Sequence, residues 1–148
     1  MARYLATIRS RWSSPRAFAY LADVRNFVDW DASVVSVDQV AGDGGGPGAE
    51  FDVEVAHAGG STTFRYRTTR FEPSTTVQIE ARTRALTSID RITIADDGDG
   101  CLVTYDARLD LNGTRRVLDP LLRLVFGRIG DRAAAGLEST LDGARAMR

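Results

Sequence analysis

The chain has no lysine, one cysteine and one histidine among its 148 residues. Each scarcity removes a class of chemistry. With Cys101 alone, no intrachain disulfide can form, and a reducing compartment suits the sequence. With His57 the sole imidazole and Cys101 the sole thiol, no transition-metal site of the usual nitrogen and sulfur ligands is expected, and no cofactor motif takes its place. A Ser-His-carboxylate triad would have to be built on His57, and nothing in the sequence supports one. Charge of one sign is lacking too: nineteen arginines face twenty acidic residues, a formal net charge of -1, so no global field draws the protein to nucleic acid or anionic membrane. There is no long apolar run. Residues Met1 to Trp12 alternate polar and apolar side chains, without a signal-type core or a spanning segment, so the expectation is a cytoplasmic protein with no membrane insertion. Internal repeats, linkers and low-complexity tails are also missing. With 43% apolar content, residues 1–148 read as one domain with a core of its own.

What is present is a run of strands closed by one long helix. Tyr4, Ala6, Ile8, Ser10 and Trp12 share a parity, which predicts an opening strand. Ser14 before Pro15 is a helix start, since the hydroxyl can cap free backbone donors and Pro at the first position sacrifices no hydrogen bond. Phe18, Leu21 and Ala22 then form the buried face of a short helix, and a second short helix at 26–31 carries Phe27 and Trp30. Strands are predicted near 34–41, 49–57, 61–72, 75–84, 86–96 and 101–111, separated by turn signals such as Ala58-Gly59-Gly60 and Asp97-Gly98-Asp99-Gly100. From Pro120 to Arg145, Leu122, Val125, Ile129, Ala133, Leu137, Leu141 and Ala144 continue a stripe that begins at Leu118, at steps of three or four. That helix would be ~39 Å long, against a radius of gyration of ~15 Å for a chain of this size, so it must cross the whole domain.

The segment Ser14-Pro15, Phe18, Tyr20-Leu21-Ala22-Asp23, Asn26-Phe27, Trp30-Asp31 resembles the opening of the START-like superfamily, specifically its polyketide cyclase/dehydrase and lipid-transport branch. The Asp99-Gly100 turn before Val103, Thr104 and Tyr105, and the Asp119-Pro120-Leu121-Leu122 entry to the last helix, resemble it as well. The resemblance implies an α+β helix-grip fold of the Bet v 1-like kind. In that fold a curved seven-stranded antiparallel sheet wraps a long C-terminal helix, two short helices follow the first strand, and a cavity lies between sheet and helix.

Strand parity predicts which side chains face that cavity. Phe51, Val53, Val55, Phe64, Tyr66, Thr68, Arg70, Ile79, Ser88, Ile92 and Tyr105 are expected to touch a ligand from the sheet, with Ile129 and Ala133 from the helix. The same apolar residues would equally serve as the core of any half-buried sheet. Asp90 is the sharpest polar signal. Buried without a partner it would tend to take up a proton and could act as a general acid or base; beside Arg70 it would be structural or anchor a head group; a bulge would turn it to solvent. Tyr66 and Tyr105 can donate hydrogen bonds to a ligand carbonyl, and His57 falls at the rim, so Asp90, Tyr66 and His57 are the catalytic candidates. Gly127, Gly130 and Gly136 weaken the helix by ~1 kcal/mol each relative to Ala, which suits a close approach of ligand or backbone.

Three other signals lead nowhere. The glycine-rich stretch 42–48 does not open a helix, as a nucleotide loop would. Asp96, Asp97 and Asp99 are too tightly spaced for a calcium loop and lack its distal Glu. The outward arginines are interspersed with Asp52, Glu54, Glu80, Asp106 and Asp110, a mixed solvated face. The leading expectation is binding of a small hydrophobic molecule, such as a polyketide-like aromatic, a lipid or an isoprenoid. The alternatives are a polyketide cyclase, aromatase or dehydrase, and a protein-interaction module with an exposed apolar patch on the short helices near Phe27 and Trp30.

Overall fold

Alternating burial shapes the first strand, β1 (Ala2–Ser10), in which Ala2, Ala6, Ile8 and Ser10 turn inward. The computed structural model describes residues 1–146, apart from the side chains of 116–119. A helix α1 (Ser14–Ala22) follows, buried through Ala17, Phe18, Leu21 and Ala22. Its cap is Ser13 rather than Ser14: the Ser13 hydroxyl accepts from the Arg16 amide, while Ser14 Oγ donates to Asp96. A single 3₁₀ turn, Val24–Asn26, leads into α2 (Phe27–Trp30).

Six strands then form a meander: β2 (Val34–Ala41), β3 (Glu50–His57), β4 (Gly60–Glu72), β5 (Thr76–Arg82), β6 (Leu86–Asp97) and β7 (Gly100–Leu111). β7 pairs with β1, and all the pairings are antiparallel. The sheet has eight strands rather than seven, in the order β2-β3-β4-β5-β6-β7-β1-β8. The added strand, β8 (Gly143–Arg145), corrects the far end of the last helix. That helix, α3, runs Asp119–Thr140 after a 3₁₀ segment at Gly113–Leu118, and stops short of Arg145. The chain reverses at Asp142, which takes the left-handed conformation (φ 48°) that Asp tolerates better than most residues. Gly143 then meets β1 so closely that a Cβ there would lie 2.3 Å from the Arg9 carbonyl oxygen. Ala144 therefore belongs to the sheet and not to the helical stripe.

The grip is tight over one half of α3 and loose over the other. Ala133, Ala134 and Leu137, together with Leu141 just beyond the helix, are fully buried, and Ser10 Oγ donates to the Leu141 carbonyl at 2.6 Å. Gly130 lies flat on the Tyr4 ring, and Gly136 packs against the Trp30 backbone of α2. Toward the N-terminus the stripe lifts away. Val125, expected inside, is 44% exposed beside Leu121 and Leu124, and Gly127 has open space where a Cβ would sit. The expected contact of Leu118 falls on a side chain outside the described residues. Opposite that half of α3, the concave face of the sheet is left uncovered.

Candidate ligand cavity

That uncovered space is a cavity of about 350 Å³, within the usual range for small-molecule sites. Sheet residues make its floor: Val53 and Val55 of β3, Phe64 and Tyr66 of β4, Ile79 of β5, and Leu86, Ser88 and Asp90 of β6. β7 adds Tyr105 and Leu109, while Phe126 and Ile129 of α3 form the roof. One wall is Val24, Phe27 and the turn after α2, held by ring contacts that run from Phe27 to Trp30 (4.5 Å between centroids) and from Trp30 to Tyr105 (5.5 Å).

Asp90 points inward because β6 pairs with β5 and β7 without a shift, opposite Ile79 and Ala107 and in phase with Ser88 and Ile92. Its carboxyl is enclosed by protein, and the residue's remaining exposure opens into the cavity. No hydrogen bond reaches it from the described residues. Burial pushes its pKa up to about 7, and the neighbouring charges of Asp31 and Asp106 push the same way. Asp31, in the turn after α2, also lines the cavity. It is better provided for, since the Ser33 amide and hydroxyl both donate to Oδ1, at 2.9 and 2.7 Å, yet burial still raises its pKa. Tyr66 and Ser88 share a hydrogen bond of 2.7 Å. The Tyr105 phenol has no hydrogen-bond partner among the described residues although only 5% of the residue is exposed; burial first, then Asp90, drive its pKa well above the ordinary value.

Of the residues expected to meet a ligand, Val53, Val55, Phe64, Tyr66, Ile79, Ser88, Tyr105 and Ile129 line the cavity together with Asp90. Phe51, Thr68, Ile92 and Ala133 face inward but lie in the packed core beyond it. Arg70 is a correction. A register shift between Thr68 and Arg70 inserts an extra residue into β4, which reverses the parity, so Arg70 is exposed and pairs with Glu72 while Phe71 turns in against Phe18. Arg70 is therefore not the partner of Asp90, and no arginine lines the cavity among the described residues. His57 sits at the exposed rim with both ring nitrogens engaged: Nδ1 donates to the Ala58 carbonyl (2.9 Å), and Nε2 accepts from the Thr62 hydroxyl (2.8 Å) in the neutral ring. On α2, near which a patch is expected of a protein-interaction module, Phe27 and Trp30 are 4% and 2% exposed and Val28 is 44% exposed.

Sequence reasoning passed over Asp31, Ser33, Phe27 and Phe126. Strand parity says nothing about a turn or a short helix. The Asp-x-Ser spacing that predicts the Asp31–Ser33 turn was legible, but not its direction. Two of the aspartates set aside as a calcium loop have other partners: Asp97 pairs with Arg9 at 2.8 Å, and Asp96 takes the Ser14 hydroxyl. On the convex face Arg65 grips Asp52 through two bonds of 2.8 and 3.0 Å, and Arg3 holds Asp106 in the same way. Among the described residues no helix is long and apolar enough to cross a membrane.

Comparison with known proteins places this architecture. The family described as "Polyketide cyclase / dehydrase and lipid transport" matches residues 1–142. No curated protein matches the sequence. A START superfamily protein from Mycobacterium smegmatis superposes with a TM-score of 0.79 over 96% of this chain and 98% of its own, at 16% identity. Ginseng major latex-like protein 151 from Panax ginseng does so with a TM-score of 0.64, covering 95% and 97%, at 10% identity. The di-domain ARO/CYC StfQ of the steffimycin biosynthetic pathway matches 95% of this chain over 51% of its length, with a TM-score of 0.70 and 8% identity. At these identities the likeness is one of fold.

Proposed function

Because the chain belongs to the polyketide cyclase/dehydrase and lipid-transport family, we propose that it binds one small, largely hydrophobic molecule under α3, with the molecule's polar end directed at Asp90 and Tyr105. The observation that carries this reading is the cavity itself. It is apolar and aromatic on nearly every side, yet it holds two polar groups, the Asp90 carboxyl and the Tyr105 phenol, with no hydrogen-bond partner among the described residues. Polar groups that open into an apolar cavity are short of hydrogen-bond partners from the protein, so a partner from outside the chain is the natural completion.

The neutral fluorophore N-phenyl-1-naphthylamine tests this. Its emission should rise on saturable binding to the wild type and stay at the free-dye level with Ile129→Trp, which fills the roof. No enhancement with the wild type, or an equal enhancement with the filled variant, would refute the proposal. A second reading, catalysis of a cyclisation or dehydration, is favoured by the Asp90 pKa of about 7 beside Tyr66 and Tyr105. Such a group exchanges protons near neutral pH, and the cavity would supply orientation for a folded poly-carbonyl chain. On that reading Asp90→Asn removes turnover of a poly-carbonyl substrate; unchanged turnover eliminates it.

A further inference from the structure

The polar groups of the cavity are one-sided in charge. Two carboxyls, Asp90 from β6 and Asp31 from the turn after α2, line it, no arginine lines it among the described residues, and lysine is absent from the sequence. His57 at the rim has both nitrogens committed to its own turn. The groups facing Asp90 are Asp31 from the turn after α2, Tyr66 from β4, Ser88 from its own strand and Tyr105 from β7, while α3 contributes Phe126 and Ile129. The charge of Asp106 also reaches Asp90, but that carboxylate lies on the outer face, where Arg3 and Arg108 pair with it. The nearest cation along β6, Arg91, is turned outward onto Gln78.

Resting on the cavity-binding reading above, we infer that the ligand is a hydrophobic amine, whose ammonium group is received between Asp90, Asp31 and the Tyr105 phenol. The free acceptors of the cavity suit such a group. An ammonium offers three donors: Asp90 has both oxygens without a partner among the described residues, Ser33 occupies only Oδ1 of Asp31, and the Tyr105 oxygen can accept. The rings of Phe27, Phe64, Phe126 and Tyr105 supply faces for the body of the molecule and for the cation itself. The same arrangement rejects free acids. A carboxylate or phosphate would enter an apolar space that already holds two acidic groups and, among the described residues, no arginine or lysine, so fatty acids and acyl phosphates are disfavoured by charge despite their apolar chains.

Three probes of one shape test this by displacement of N-phenyl-1-naphthylamine at pH 8: 2-(2-naphthyl)ethylamine, 2-(2-naphthyl)ethanol and 3-(2-naphthyl)propanoate. The amine should bind at least about tenfold more tightly than the alcohol, and the propanoate more weakly than either. Lowering the pH to 5.5 should shrink the amine's advantage as Asp90 takes up its proton. Asp90→Asn should erase that advantage, and Asp31→Asn should reduce it, which keeps the test decisive if one variant fails to fold. Equal or tighter binding of the alcohol at pH 8, with an intact wild-type cavity, overturns the amine assignment and leaves hydrophobic binding standing. Failure of all three probes and of the fluorophore overturns both.

Discussion

Alanine substituted at Gly136 and at Gly127 should move stability in opposite directions, although both glycines lie within α3. A Cβ at position 136 would sit 1.9 Å from the Trp30 carbonyl oxygen and 2.8 Å from its carbon. Carbon and carbonyl oxygen rest at about 3.3 Å or more, so the contact is short by more than an ångström. The obstacle is backbone, and no rotamer relieves it. Overpacking of this kind costs ~1–3 kcal/mol, occasionally more, against ~1 kcal/mol regained from the helix propensity of Ala. Gly127 has no atom within 4 Å of its would-be Cβ, so only the propensity gain of ~1 kcal/mol remains there. At ~2–4 °C per kcal/mol for a chain of this size, Gly136→Ala should melt several degrees below the wild type and Gly127→Ala up to ~4 °C above it. Differential scanning fluorimetry reads both. In Gly136→Ala, α2 must retreat, and Phe27 with it, so binding of N-phenyl-1-naphthylamine should weaken as well. An unchanged or raised Tm for Gly136→Ala would refute the close approach of α3 to α2, and with it the account of how the cavity wall is held.

Asp90 should make the fold less stable as pH rises. Its folded pKa of about 7 lies above the unfolded value of 3.8, so the native state holds the proton more tightly; stability contributed by Asp90 is full only below pH 3.8, is lost progressively between there and pH 7, and is flat above it. Asp90→Asn should therefore raise Tm clearly over the wild type at pH 8 and much less at pH 4.5, and the same difference at both pH values would contradict a buried, unpaired carboxyl. Tyr66→Phe removes one buried hydrogen bond, to Ser88 Oγ, and should lower stability by ~1 kcal/mol in a urea titration; a neutral result would mean that the two hydroxyls are satisfied by other groups.

Much of this was legible from residue order. Period-two alternation located β1 and the six strands of the meander, because a sheet with one buried face writes its orientation into every second residue. The same parity brought Val53, Val55, Phe64, Tyr66, Ile79, Ser88, Asp90 and Tyr105 to one face. It failed at Arg70 for a local reason: one inserted residue at the bulge reverses every side chain beyond it, and no side chain in Thr68-Thr69-Arg70 announces the insertion. It was silent on Asp31 and Phe27, which arrive from a turn and a short helix with no period to read.

The end of α3 and the hollow beneath its first half were decided only by packing. The spacing from Leu118 to Ala144 is equally good along its whole length, so sequence alone makes a uniform helix gripped throughout. Tertiary contact divides it. Where Gly130 and Gly136 let the backbone approach Tyr4 and Trp30 the helix closes on its neighbours, and at Asp142 the chain turns to add β8 beside β1. Where Leu121, Leu124 and Val125 face outward the helix stands off and leaves a cavity of about 350 Å³. Hydrophobic periodicity specifies which face of a helix is apolar. The distance at which that face comes to rest is set by the side chains of the elements it meets, and that distance is what gives Asp90 a cavity to face.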